Sequence, residues 1–285
     1  MLRFEEVGFD YGDRTVIDSV SFTVERGDFV ALLGENGAGK STLCRLCNGL
    51  AKPRRGRVLL GGQDTRQAKA SALARRVGYL FQNPDRQICK NTVREEILFG
   101  LDLVLEAPGG IPPARKEGEK QRRLEEMLDL FHLDGGRDPF GLSRGERQQL
   151  ALAGVLARKP EFLILDEPTT GLDYRECTAI MGIISGLNAA GATVLMISHD
   201  MEVVADYARR ALVLSAGRLI GDGPVRRIMG DGALLGRASL LPAQIPSLAQ
   251  RLGPPFAGAF TVDEMVALCA EQAGGAETAR EGGRV

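Results

Sequence analysis

The chain of 285 residues carries 36 basic and 37 acidic side chains, a net charge of −1, with 44% apolar and 5% aromatic residues and no tryptophan. That length fits one large domain or two modest ones with an aliphatic core, and an ordinary charged fraction excludes a disordered polyampholyte. A balanced charge removes any global pull towards polyanions, so no nucleic-acid partner is expected.

Residues 2–7 and 16–24 alternate as strands do, with turns at 12–13 and 26–28. The unbroken apolar run 29–33 stops at Gly34, the pattern of a strand buried on both faces. Beyond Gly39, Leu43, Leu46, Cys47 and Leu50 recur at helical spacing until Gly49 and Pro53 close the segment. Cys44 and Cys47 form a CxxC, but the only histidines are His132 and His199, too few for zinc spacing, so two small residues on one helix face are expected. An odd total of 5 cysteines argues against a disulfide framework.

Strands are predicted at 58–60 and 77–81 around a basic helix at 68–76. Residues 92–158 are largely helical in pattern, broken by a loop at 107–113. The charged run 115–126 reads as a solvated helix face, and His132 as structural or exposed. Strands at 162–165, 193–197 and 211–214 alternate with helices at 174–190 and 201–209, which implies a parallel sheet. From 238 the pattern loosens around Pro242, Pro246, Pro254 and Pro255, recovers in a short helix at 262–270, and ends in a tail, 271–285, expected to be disordered. No apolar run approaches the roughly 18–20 residues of a membrane span, and Met1-Leu2-Arg3-Phe4-Glu5-Glu6 has no signal-type apolar segment, so a soluble cytosolic chain is expected.

Gly34-Glu35-Asn36-Gly37-Ala38-Gly39-Lys40-Ser41 fits GxxxxGK[ST], between a predicted strand and a predicted helix. Glycines let consecutive backbone N–H groups point inward, and the helix N-terminus adds a positive field, so the loop can cradle phosphates. Lys40 would reach the β- and γ-phosphates of ATP, Ser41 would offer a hard oxygen to Mg²⁺, and Thr42 a hydroxyl near the α-phosphate. A second motif, Phe162-Leu163-Ile164-Leu165-Asp166-Glu167, is an apolar strand ending in two carboxylates. Asp166 sits where open α/β sheets bind ligands and would hold the Mg²⁺ shell, while Glu167 could act as general base on a water.

At this point the sequence resembles the ATPase subunits of ABC transporters, over roughly residues 1–230. Leu142-Ser143-Arg144-Gly145-Glu146 is similar to the family signature LSGGQ, Gly171-Leu172-Asp173 to the loop after the acidic pair, and Ile197-Ser198-His199-Asp200 to the switch-histidine motif. Gln82 falls at the glutamine loop and Tyr11 at the adenine-stacking aromatic. The resemblance implies an α/β P-loop NTPase core with an antiparallel β subdomain, a helical subdomain over about 92–158, and a C-terminal extension over 231–270 that contributes to dimer contact. It further implies a head-to-tail dimer, homo- or hetero-, with ATP held between the phosphate loop of one chain and Ser143 and Gly145 of the other. Glu167 would then polarise the attacking water, His199 would contact the γ-phosphate and orient that water, and Gln82 would sense Mg²⁺. Arg144 and Glu146 depart from the family glycine and glutamine. Arg144 would add a cation near the partner's nucleotide or point to solvent, and Glu146 would bring a charge that phosphate does not favour.

Phe81-Gln82-Asn83-Pro84-Asp85-Arg86-Gln87 resembles the FQNPDxQ stretch of energy-coupling-factor importers. That likeness implies a peripheral subunit on the cytoplasmic face of the cell membrane, working with a membrane-embedded coupling subunit and a separate membrane subunit that binds a vitamin or transition-metal ion. The ATPase of a conventional importer or exporter is the alternative. A DNA-repair ATPase is disfavoured because the stretch from Lys40 to Asp166 is too short for a long coiled coil.

Overall fold

The structure, a computed structural model, describes residues 1–105 and 112–281. Two sheets enclose the helix that follows the phosphate loop, and a helical region packs on the far face of the second sheet. The first sheet is antiparallel, in the order β2 (Arg14–Val24), β1 (Leu2–Tyr11), β4 (Arg55–Leu60), β5 (Gln63–Asp64). Its inner face is built by alternation: Leu2 pairs with Val24 and Phe4 with Phe22, the two rings stacked at 4.5 Å.

The second sheet has six strands, in the order β10 (Arg218–Pro224), β9 (Arg210–Ser215), β3 (Phe29–Leu33), β8 (Thr193–Ile197), β7 (Phe162–Asp166), β6 (Val77–Leu80). All run parallel except β10, an antiparallel edge. The strand-period rule explains why β3 reads as an unbroken apolar run. Val30 and Leu32 face the antiparallel sheet, whereas Phe29, Ala31 and Leu33 face the helices on the other side. Between the two sheets lies α1 (Lys40–Cys47), with Leu43, Cys44, Leu46 and Cys47 fully buried among side chains of both. Cys44 and Cys47 are therefore core residues, and burial pushes both thiols up.

After a single helical turn, α2 (Ala70–Leu73), the helical region comprises α3 (Val93–Leu98), α4 (Leu101–Leu105), α5 (Pro113–Phe131) and α6 (Arg144–Leu156). Residues 106–111, most of the loop expected at 107–113, lie outside the described residues. His132 ends α5 in a left-handed conformation, φ 53°, which gives it a structural role as helix terminator. The crossover helices are α7 (Tyr174–Ala189) and α8 (Met201–Tyr207). Each is capped by the aspartate of its motif, Asp173 through a reciprocal box with Glu176, and Asp200 by accepting from the Glu202 and Val203 N–H groups. Both helices thus start directly beyond the sheet's carboxyl edge, where ligands of open α/β sheets bind.

Beyond β10 come α9 (Val225–Gly230), α10 (Gly232–Arg237), α11 (Gln244–Leu252) and α12 (Val262–Glu281). Leu234, Leu235, Ala238, Ala243 and Phe260 join the main core cluster, and Arg226 both pairs with Glu264 and stacks over Phe260 at 4.7 Å. One expectation needs correcting here: the loosened stretch after 238 contains α11, which starts after Ala243 with Pro246 in its first turn, where a missing N–H costs nothing. The helix expected at 262–270 runs on to Glu281, into the segment expected as a tail. Residues 282–285 of that expected tail lie outside the described residues.

Candidate functional site

The site begins where β3 ends. A Cβ at Gly34, whose φ is 147°, would lie 2.1 Å from the Leu214 carbonyl oxygen on β9, so the loop turns off the sheet at a point only glycine can occupy. Lys40 is the first residue of α1 and is 7% exposed. Its ammonium folds back to donate to the carbonyl oxygens of Gly34 (2.6 Å) and Glu35 (2.9 Å). Burial lowers its pKa, against the pull of Glu167 and Asp166. Asn36, Gly37, Gly39, Ser41 and Thr42 line a cleft of about 510 Å³ with Lys40, whereas Gly34 and the buried Ala38 support it from beneath.

On the far wall, Asp166 closes β7 and accepts a 2.9 Å hydrogen bond from the Tyr79 hydroxyl on β6. Burial raises the Asp166 pKa and the Tyr79 bond opposes that rise. Burial pushes the Tyr79 phenol up as well. Glu167 turns away from the sheet at φ 50° while its N–H remains bonded to the Ile197 carbonyl at 3.0 Å. That placement gathers three side chains on one carboxylate. Gln82 Nε2 (2.5 Å) and Thr170 Oγ1 (2.9 Å) donate to Oε2, and His199 Nε2 lies 2.8 Å from Oε1. Residues separated by more than 80 positions in sequence thereby meet in one hydrogen-bonded cluster that opens onto the phosphate loop.

Tyr11 forms one rim of the cleft, 48% exposed, its ring set edge-on to Phe9 and its hydroxyl accepting from Arg45 at 3.2 Å. Such a platform is wide enough for a base to stack on.

Ser143 and Gly145 stand apart from the lining of this cleft, at the start of α6. Ser143 Oγ accepts from the Glu146 N–H (3.1 Å), and Glu146 Oε2 accepts from the Ser143 N–H (2.7 Å), a reciprocal capping box. Arg137 pairs with the same carboxylate at 2.6 Å, and the Ser143 N–H and Arg137 together hold the Glu146 carboxyl below its usual range. The departure from glutamine thus supplies a cap whose charge is already compensated. Arg144 is exposed, and its guanidinium donates to the Thr170 carbonyl oxygen at 3.2 and 3.1 Å, because the α6 start lies against the loop that follows Glu167.

Three residues of the site escaped the motif reading. Tyr79 carries a polar group in a buried strand, which is a usable signal, since a buried hydroxyl needs a partner. Thr170 lies between the acidic pair and Gly171, outside both quoted motifs. Arg14 lines the cleft beside Tyr11, and nothing in its turn sequence marks it.

The comparisons with known proteins accord with this geometry. Residues 17–170 match the family model described as ABC transporter. The chain is 39% identical over 269 residues to the energy-coupling factor transporter ATP-binding protein EcfA of Methanothermobacter thermautotrophicus, covering 92% of this chain and 82% of that protein. Among solved structures, cbiO1 from Clostridium perfringens, part of the ABC transporter complex cbiONQ, superposes with a TM-score of 0.72 at 28% identity, covering 88% of this chain and 98% of that one. A dimeric ATP-binding cassette in a post-hydrolysis state with ADP and phosphate gives a TM-score of 0.69 at 26% identity over 79% of this chain and 99% of that one. Other curated relatives are longer: the chain spans 45% of an ATP-binding protein of Caldanaerobacter subterraneus to which it is 40% identical over 93% of its own length. Among the described residues no helix is long and apolar enough to cross a membrane.

Proposed function

Because this chain belongs to the ABC transporter ATP-binding family, whose members are ATP-hydrolysing motors, we propose that it is the motor subunit of an energy-coupling-factor importer for a vitamin or transition-metal ion. One observation carries the catalytic part: the Glu167 carboxylate, held by Gln82, Thr170 and His199, faces the same cleft as Lys40 and the phosphate loop. The likeness to EcfA and cbiO1, together with the FQNPDRQ segment, supports the importer class.

ATP enters with its base on Tyr11 and its phosphates over the loop. Lys40 leaves the two loop carbonyls that now hold it and turns its ammonium to the β- and γ-phosphates. The N–H groups of residues 37–41 and the field of the α1 N-terminus stabilise charge on the phosphates as it spreads in the transition state. Glu167 accepts a proton from a water aligned with the γ-phosphorus while the bond to the β-phosphate oxygen breaks. His199, as donor, keeps that carboxylate aimed and contacts the γ-phosphate. The Ser41 hydroxyl, the Asp166 carboxylate and the amide oxygen of Gln82, whose nitrogen faces Glu167, form an all-oxygen set that suits Mg²⁺. When bound, the ion neutralises charge on the β- and γ-oxygens.

Ser143 and Gly145 serve the second nucleotide, across a head-to-tail dimer with another copy or a sister ATPase, and the extension over 231–270 supports that dimer. A groove of about 600 Å³, bordered by Leu50, Phe81 and Phe99, is the surface offered to the membrane-embedded coupling subunit. Its wall is stiff. Gln87 accepts from the Phe81 N–H and donates to the Ala151 carbonyl on α6, while Asp85 pairs with Arg147 at 2.8 Å. Movement of the groove is therefore delivered to Gln82, next to Phe81, and so to Glu167.

Glu167→Gln is the direct test of the catalytic reading. It should retain ATP and the closed dimer while turnover falls by at least about 100-fold, and a variant that hydrolyses ATP at the parental rate would refute the base assignment. For the importer class, isolation of the chain from solubilised native membranes should bring down one helical coupling subunit and a small substrate-binding membrane protein. Recovery of only a dedicated transmembrane pair would point to a conventional transporter.

A further inference from the structure

We propose that Arg144, at the start of the signature helix, is a positioning residue for Glu167 of its own chain and not a cation for the nucleotide. A long cationic side chain stands where the family pattern has a glycine, at the first residue of α6. Its Nε and Nη2 both donate to the Thr170 carbonyl oxygen, at 3.2 and 3.1 Å. The guanidinium lies over Gly171, where an added Cβ would come within 2.7 Å of Nε. At φ 77°, Gly171 gives the loop the left-handed turn that presents this carbonyl.

From Thr170 the contact runs on to the reacting centre. The Thr170 N–H is bonded to the Glu167 carbonyl at 3.3 Å, and the Thr170 hydroxyl donates to Glu167 Oε2 at 2.9 Å. Glu167 itself stands at φ 50°, a conformation that costs a non-glycine residue free energy and persists only when its surroundings hold it. On the far side the loop is anchored by the Asp173 and Glu176 capping box of α7, and the Glu176 carboxylate fills the space beside Gly145. Arg144 is thus the clamp on the near side, two guanidinium N–H groups donating to one carbonyl oxygen.

The inference rests on the ATPase reading above and adds a direction of influence. The helix start that would meet the partner's γ-phosphate is fastened to the loop that aims this chain's own base. Closure of α6 onto one nucleotide therefore sets the carboxylate that serves the other. A cation acting on the nucleotide would change affinity, whereas a residue that aims the base changes turnover at constant affinity.

The test is a set of variants of the full chain: Arg144→Gln, which keeps helix propensity, Arg144→Lys, Thr170→Ala, and the double Arg144→Gln with Thr170→Ala. Arg144→Gln should lower kcat about tenfold with KM within about twofold, the loss expected for one charged hydrogen bond. Arg144→Lys should recover part of the activity. The double variant should be no worse than the poorer single one, since both cut the same chain of contacts. Hydrogen exchange should quicken in residues 168–172 of Arg144→Gln and stay parental at the phosphate loop, which also shows that the variant is folded. A raised KM at parental kcat, additive losses, or unchanged exchange in 168–172 would each overturn the assignment. A parental chain without ATP hydrolysis would instead overturn the ATPase reading, and this inference with it.

Discussion

Tyr79 shows how a single hydroxyl can govern a buried charge. Asp166 ends its strand mostly out of water, and the phenol of Tyr79 is the donor that offsets this burial. Tyr79→Phe leaves the ring packing intact but strands the carboxylate, which should cost about 1–3 kcal/mol of stability and weaken divalent-ion activation. Urea denaturation and a Mg²⁺ titration of nucleotide binding would both register the loss. Glu146 behaves in the opposite sense. The Ser143 N–H and Arg137 hold its carboxyl below the usual range, so as pH falls the unfolded chain takes up the proton first. Its contribution to stability is complete above the ordinary carboxylate pKa and disappears as pH drops through the lowered one. Glu146→Gln keeps the capping geometry and loses the Arg137 ion pair. Its stability should therefore fall below that of the parent at pH about 7, and the gap should narrow as pH falls through the carboxylate range, as a pH series of denaturation curves would show.

At the scale of elements, α1 decides the site because it is clasped between two sheets. A helix whose buried face is packed between the two sheets cannot shift without disturbing that core, so its N-terminus is a fixed mount for Lys40 and Ser41. The thiols of Cys44 and Cys47, fully buried and with raised pKa values, should resist alkylation in the native protein while the exposed Cys89 and Cys269 react. Mass spectrometry before and after denaturation would separate the two pairs, and early labelling at Cys44 would mean that α1 is not held as described. A methyl group at Gly34 meets the β9 backbone, so Gly34→Ala should abolish nucleotide binding and lower the melting temperature by several degrees.

For the whole molecule, the relevant feature is that the apolar groove and the acidic cluster share a wall. Phe99, 53% exposed beneath Lys90 at 4.2 Å, borders the groove and is not part of the lining of the nucleotide cleft. Phe99→Glu should leave ATP hydrolysis by the isolated chain near parental while removing the membrane subunits from a pull-down, because a carboxylate cannot be buried unpaired against an apolar partner. Retention of those subunits would place the docking surface elsewhere.

Much of this protein was legible before any fold was known. The phosphate loop, the acidic strand end and the alternation of apolar runs with helical segments are local patterns, imposed by backbone sterics and by the period of each element. They placed Lys40, Ser41, Asp166 and Glu167 and predicted the parallel sheet. The edge strand β10 and helix α11 left weaker traces, since short amphipathic segments broken by proline or glycine have no distinctive period. What only the tertiary structure decided concerns the partner each side chain takes, most of all where that partner is distant in the chain: Tyr79 on Asp166, Gln82 on Glu167, Arg144 on the Thr170 carbonyl. From sequence, Arg144 read as a cation near a nucleotide or as a solvent-facing side chain, and Glu146 as a charge that phosphate does not favour. A side chain's partner is set by which surfaces the packed helices and strands bring within about 3 Å, and no local pattern encodes that.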